Sequence, residues 1–223
     1  MQECFKKDRI HSGGLAIFGA GGFGREVAWL AQRCFGEDVD LTFLVNQPDL
    51  VGSMVNGIPV RDVEEFALRS GGTPVVVAIG DPKARQACVK LCAAVGLSFA
   101  TLVHPKVEAS PWISMGIGSI ICAGSILTTN IRVGDHVHIN LDCTIGHDVE
   151  IEDYVTLAPG VHVSGRVRLG KRAYIGTGAV LINGTEEKPL IVGADAVIGA
   201  GACVIRDVEA GSLVVGVPAK EKK

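Results

Sequence analysis

Rings are scarce in this 223-residue chain: aromatic residues make up 5% of it, against 48% hydrophobic residues overall. Whatever core it buries is therefore built from Val, Ile, Leu and Ala, which points to a narrow, regular interior such as a repeat solenoid rather than an ordinary globule. No long run of Lys or Arg occurs and the formal net charge is −3, so nucleic acid is excluded as a main partner, since phosphate binding needs a basic stripe. No apolar stretch approaches the roughly 18 residues of a membrane span. No Cys-x-x-Cys spacing is present among the seven scattered cysteines, Cys4, Cys34, Cys88, Cys92, Cys122, Cys143 and Cys203. The opening residues 1–11 are polar and lack an apolar signal core, so 1–14 is read as a flexible tail. Without a secretion signal the thiols are expected to be reduced and the protein cytoplasmic.

What is present begins with an alternation of strand and helix over residues 15–103, the expectation for a small Rossmann-like α/β domain. The apolar run Leu15–Phe18 leads into Gly19-Ala20-Gly21-Gly22-Phe23-Gly24, and residues 25–35 carry Val27, Leu30, Ala31 and Cys34 at helical spacing. Leu41–Val45 reads as a second strand, Asp62 as the cap of a helix running to Ser70, and 75–79 as a third strand. Asp81 with Pro82 then opens another helix that stops at Gly96, and 98–102 makes a last strand. Parallel strands place a ligand site at their carboxyl ends, where the glycine loop and Gly80-Asp81 share one edge. The backbone amides of such a loop suit a diphosphate; a tight turn that packs helix on strand is the plainer alternative. An NAD site wants an acidic residue after the second strand, and Val45-Asn46 stands there instead.

From Val133 the sequence divides by six. Units start at Val133, Ile139, Ile145, Ile151, Leu157, Val163, Leu169, Ile175 and Leu181, all aliphatic. The fifth position of each is small or β-branched: Val137, Cys143, Val149, Val155, Val161, Val167, Ala173, Ala179 and Thr185. After an interruption at 187–191 the period resumes at Val192, Ile198 and Val204, and looser copies are read at Val107, Ile117 and Ala123. A period of six does not track the 3.6 of a helix, so residues 104–223 are expected to form a solenoid of triangular, 18-residue coils.

This pattern resembles the left-handed parallel β-helix acyltransferases, whose crossovers break the usual right-handed rule. The order of glycine loop, Val103-His104-Pro105, Cys143-Thr144-Ile145-Gly146-His147-Asp148 and Val215-Gly216-Val217-Pro218-Ala219-Lys220 is similar, more narrowly, to sugar acyltransferases that include sialic acid O-acetyltransferases and nucleotide-4-amino-sugar N-acetyltransferases. The resemblance implies acetyl-CoA as co-substrate, direct attack without an acyl-enzyme, and a homotrimer with sites between subunits. N-acetylation of a nucleotide-linked 4-amino-6-deoxysugar is the first reading; O-acetylation of a sialic acid or surface-polysaccharide sugar is the second. A non-catalytic trimeric binding scaffold is the reading from another class.

Acetyl transfer needs a base, oxyanion donors and a place for the pantetheine arm. His147 is the expected base and Asp148 its orienting partner, where relatives often carry glutamate. Gly165, one coil on, is the expected thioester contact; Gly176, Ala179, Gly199 and Ala200 are expected along the pantetheine arm, with Lys220 or Arg206 at the coenzyme phosphates. On the acceptor side the expected contacts are Gly19, Gly21, Gly22, Phe23, Asn46, Asp81 and Arg85. Phe23 replaces a histidine common in the family's glycine loops, and Val45-Asn46 replaces the acidic pair with which nucleotide-amino-sugar members recognise the base. His138 and His162 are candidates for the same cleft or for plain corner positions; His104 and His136 are read as structural. No metal is expected: the γ-class carbonic anhydrases share this fold, but their histidine spacing is missing. Cys143, at an inward position, is read as inert core.

Overall fold

The computed structural model describes residues 14–222. Most of the expected tail, 1–13, and with it Cys4, lies outside the described residues.

The chain opens with β1 (Leu15–Phe18), α1 (Gly22–Phe35) and β2 (Leu41–Val45), the two strands buried along their whole length. It continues through β3 (Met54–Val55), β4 (Ile58–Asp62), α2 (Val63–Ala67), β5 (Val75–Val77) and α3 (Pro82–Ala94). The sheet order is β3-β4-β2-β1-β5, parallel except for β3 against β4. That hairpin was not anticipated, although Asn56-Gly57, both at positive φ, is the strongest short hairpin signal a sequence carries. Asp62 caps α2 by accepting from Glu64 and Glu65 N–H, and Asp81 caps α3 by accepting from Ala84 N–H at 2.7 Å.

The strand expected at 98–102 divides its pairing. Phe99 bridges Val75 of the α/β sheet, while Leu102–Val103 pairs with Ile120–Ile121 as the first strand of the second architecture. One apolar cluster spans that passage: Leu15, Ile17, Val27, Leu30 and Ala31 pack with Leu102, Ile120 and Cys122. The α/β unit thus sits against the first coils.

From Leu102 onward the chain is a left-handed parallel β-helix. Its strands stack in three sheets of eight, six and five members. In one coil they run His138–Ile139, Thr144–Ile145 and Glu150–Ile151, and each pairs with the strand 18 residues on. Every aliphatic unit start from Val133 to Leu181 is buried, as is every fifth position from Val137 to Ala179. Burying such side chains contributes about 1.5–3 kcal/mol apiece, which is how so ring-poor an interior holds. Thr185 is the exception: it lies exposed where a loop leaves the coil. Leu169 then pairs with Val192, 23 residues on, and stacking continues.

Three phase readings need correction: Val107 packs against the core at a fifth position rather than at a unit start. Ile117 is 56% exposed and Ala123 half-buried; the early coils instead continue the later phase through Val103, Ala109, Met115, Ile121 and Leu127. Polar residues at two inward positions hid the pattern. Ser119 and Ser125 are fully buried because their hydroxyls donate to the Gly134 and Asn140 carbonyls of the next coil.

The corners are columns of left-handed residues. Gly124, Asp142, Gly160 and Gly178 form one, His136, Tyr154, Arg172 and Asp195 a second, and Asn130, Asp148 and Arg166 a third, all at positive φ.

Candidate active site

His147 lies just before that third corner column, between the strand Thr144–Ile145 and the strand Glu150–Ile151. Its Nδ1 is 2.8 Å from Asp148 Oδ2. A carboxylate only accepts, so Nδ1 donates to it, and in the neutral form of this half-exposed ring Nε2 is the nitrogen that carries the lone pair. Asp148 itself is at φ 58°, a conformation that Asp tolerates better than most residues. Despite being shorter than glutamate it reaches the imidazole. Hydrogen bonds from His147 and from Asn130, whose Nδ2 is 3.2 Å from Oδ1, hold the Asp148 carboxyl below the usual carboxylate range. It is an anion at neutral pH. Asn130 was missed by sequence reasoning; its only signal was its place one 18-residue coil before Asp148.

The glycines around this pair are steric requirements. A Cβ on Gly165 would stand 2.5–2.9 Å from Nε2, Cε1 and Cδ2 of His147, so the imidazole lies directly over the bare Gly165 backbone. A Cβ on Gly146 would meet the Gly165 nitrogen at 2.6 Å and the Ser164 carbon at 2.7 Å. Gly165 N–H donates to no acceptor among the described residues, whereas its carbonyl accepts from Gly184. The site therefore joins a lone-pair nitrogen and an unengaged amide on adjacent coils.

The remaining residues expected along the coenzyme sit elsewhere in the triangle. Gly176, Gly199 and Ala200 occupy the corner before the six-stranded sheet, while His147 and Gly165 occupy the corner after it. Gly176 and Gly199 N–H are committed to Ile198 and Val214 carbonyls. Ala179 is corrected to core: its side chain is fully buried and its N–H donates to Gly176. Lys220 is exposed on the short strand Lys220–Glu221, and Arg206 is exposed as well.

At the carboxyl edge of the α/β sheet the glycine loop runs from Gly19, at φ 109°, into α1. Gly24 is a packing glycine, since a Cβ there would collide with the Gly19 carbonyl. Gly21 has open space where a side chain would stand, and no side chain caps α1, so bare backbone faces out beside exposed Asn46 and Asp81. Phe23 leans back and packs on the His138 ring, centroids 5.1 Å apart.

Arg85 is corrected from an acceptor contact to a buried bridge. It is fully buried, and the five N–H groups of its guanidinium lie within hydrogen-bond distance of seven acceptors of the protein itself, which share them. Burial pushes its pKa down to about 9, opposed by Asp81 and Tyr154, so it remains a cation near neutral pH. His138 accepts from it through Nδ1 and is buried and neutral, its pKa driven well below the usual histidine value by burial and by that charge. His162 lies exposed on the outer face of the six-stranded sheet, 2.8 Å from Thr144 Oγ1. His104 and His136 are buried; the one accepts from Lys106 N–H, the other stacks on Tyr154.

Burial raises the Cys143 thiol to about 11 and those of Cys92 and Cys122 to about 12. None is a thiolate at neutral pH. Cys143→Ala is expected to keep kcat within about twofold of wild type and to cost roughly 1 kcal/mol of stability; a tenfold fall in steady-state turnover would restore the thiol as a participant. Among the described residues no group of His, Cys, Asp and Glu is placed to hold a metal ion, and no helix is long and apolar enough to cross a membrane.

Comparison with known proteins fits this geometry. A GDP-perosamine N-acetyltransferase of Escherichia coli O157:H7 is 37% identical over 188 residues, 80% of this chain and 82% of that protein. The chain belongs to the hexapeptide-repeat nucleotide-amino-sugar N-acetyltransferases. Within that family, residues 14–91 match the PglD N-terminal domain. The acetyltransferase domain of PglB from Neisseria gonorrhoeae, solved with acetyl coenzyme A, superposes with a TM-score of 0.85 at 31% identity, covering 95% of this chain and 100% of that one. A histidine-to-asparagine variant of perosamine N-acetyltransferase from Caulobacter crescentus, solved with CoA and GDP-perosamine, also gives 0.85, at 30% identity and 96% and 98% coverage.

Proposed function

We propose that this protein transfers the acetyl group of acetyl-CoA to the amine of a nucleotide-linked 4-amino-6-deoxysugar, with GDP-perosamine the first acceptor to test. One observation carries the reading: the Nε2 lone pair of His147, oriented through Asp148, stands over the bare amide of Gly165. The Caulobacter crescentus enzyme solved with CoA and GDP-perosamine, and the Escherichia coli relative named for GDP-perosamine, support the substrate class.

In this reading the neutral amine nitrogen attacks the thioester carbonyl carbon. Gly165 N–H steadies the developing oxyanion, and Nε2 takes the proton that the nitrogen gives up. Collapse breaks the C–S bond, and the proton passes from His147 to the departing coenzyme A thiolate. Asp148 stabilises the imidazolium in between. Residues 15–103 hold the acceptor through the bare loop at Gly19, Gly21 and Gly22 with Phe23, Asn46 and Asp81, and residues 104–223 carry the transfer. Gly176, Gly199 and Ala200, on the other corner, and Lys220 on its strand contact coenzyme whose thioester lies beside the His147 of a neighbouring subunit. That arrangement calls for a homotrimer, which the exposed apolar side chains of Val180, Ile182 and Ile205 on the last coils of the six-stranded sheet support. We place the enzyme in the cytoplasm, where acetyl-CoA and nucleotide sugars are available.

The test is thiol release from acetyl-CoA with GDP-perosamine, with UDP- and dTDP-linked 4-amino sugars and free sialic acid as alternatives. Turnover with a nucleotide amino sugar supports the proposal. Acetylation of sialic acid alone would replace it with O-acetyl transfer, and coenzyme binding without turnover on any acceptor would leave a scaffold.

A further inference from the structure

Arg85 is buried at the seam between the two parts of the chain and holds both. On the α/β side its Nη1, whose two hydrogens are shared among four acceptors, reaches the Ile79 and Gly80 carbonyls, at 2.8 and 3.1 Å, in the loop that follows β5. On the solenoid side Nε donates to His136 O at 3.0 Å, Nη2 to the Tyr154 and Val155 carbonyls, and Nη1 to Thr156 Oγ1 and His138 Nδ1. Thr156 Oγ1 in turn donates to Gly80 O at 2.9 Å, so that one carbonyl of the acceptor edge is gripped from two directions.

The second acceptor loop rests on the same point. Phe23, in the glycine loop, packs on the ring of His138, which Arg85 fixes through Nδ1. Both loops at the carboxyl edge of the sheet are therefore referred to one stretch of solenoid. That stretch is the strand His138–Ile139 and its neighbour Thr156–Leu157. The chain leaves the first of these strands for Thr144–Ile145 and His147, so the reference strand and the base are rungs of one coil. Only a planar fork with five donors spans both sides at once; an ammonium presents three donors at a single point.

We propose that Arg85 is a positioning residue, which sets the reach of the acceptor amine toward the transfer site by locking the Gly80 and Phe23 loops onto the coil of His147. It touches neither substrate. In a trimer the solenoids form one body, so a lock of the α/β unit onto its own solenoid fixes it relative to a neighbour's site as well. The inference rests on the acceptor reading proposed above.

The experiment compares wild type with Arg85→Lys and with Thr156→Val, which keeps the guanidinium but deletes the hydroxyl that grips Gly80 O and accepts from Nη1. Arg85→Lys is expected to lower kcat/KM for the nucleotide amino sugar by about 10- to 100-fold, and Thr156→Val by about 3- to 10-fold. The KM for acetyl-CoA should stay within about twofold of wild type in both. Equal losses for both substrates, or a lowered melting temperature with acceptor kinetics unchanged, would reduce Arg85 to a structural residue. Hydrogen exchange reads the same lock without any acceptor. Amides of residues 19–24 and 79–81 should exchange faster in Arg85→Lys while those of 144–169 do not change; unchanged protection of the acceptor loops overturns the proposal. Wild-type turnover on the acceptor panel separately decides the reading beneath it.

Discussion

Replacing His147 with asparagine is expected to lower kcat by roughly 100- to 10,000-fold while coenzyme A binding stays within about twofold of wild type. The side chain is half-exposed and contributes nothing to the aliphatic interior, so its loss leaves the solenoid standing. What disappears is the one nitrogen lone pair aimed at the transfer site. Asparagine keeps a polar group of similar reach but offers no base at neutral pH. Steady-state thiol release measures the first quantity and calorimetric titration with coenzyme A the second. Turnover near the wild-type rate would remove His147 from the chemistry altogether; a matching collapse of coenzyme affinity would turn it into a binding residue.

Gly165→Ala tests the same geometry without touching the base. Its new methyl would stand 2.5–2.9 Å from three atoms of the imidazole, closer than carbon and nitrogen can approach. Gly165 does not need a left-handed conformation, and the obstructed group is the end of a half-exposed side chain, so the ring rotates away and the coil persists. A displacement of about 1 Å at the reacting atoms costs on the order of 100-fold in rate. We therefore expect kcat to fall by about that factor with the melting temperature nearly unchanged. Gly146→Ala is the contrast, because its methyl meets backbone of the next coil, which cannot swing aside. There the melting temperature should fall as well. An alanine at 165 that leaves kcat intact would mean that the imidazole does not work from over this glycine.

The solenoid was legible because its rule is one-dimensional. A period of six with aliphatic starts and small fifth positions needs no knowledge of distant contacts, and it placed the core from Val133 to Leu181 residue by residue. It failed where a local substitution broke the pattern while the geometry held. Ser119 and Ser125 look polar in sequence, yet each finds a carbonyl one coil on, so the true phase through Ile121 and Leu127 was overlooked. His147 with Asp148 was legible as neighbours, whereas Asn130, which completes their network, is 18 residues away and shows only when coils are stacked. Arg85 was misread for a different reason. Near a glycine-lined edge an arginine invites an anion, and nothing in the sequence tells that its fork closes on seven acceptors of its own chain. The error over Ala179 was one of facing: it belongs to the inward series that the repeat itself defines.

The loop at residues 183–189 leaves the stack at one corner and returns without disturbing it, Leu169 finding Val192 as each earlier strand finds its neighbour. Its length and make-up are thus uncoupled from the ribs on either side. A lineage carrying this architecture is free to rewrite that single segment while the framework on either side is inherited whole.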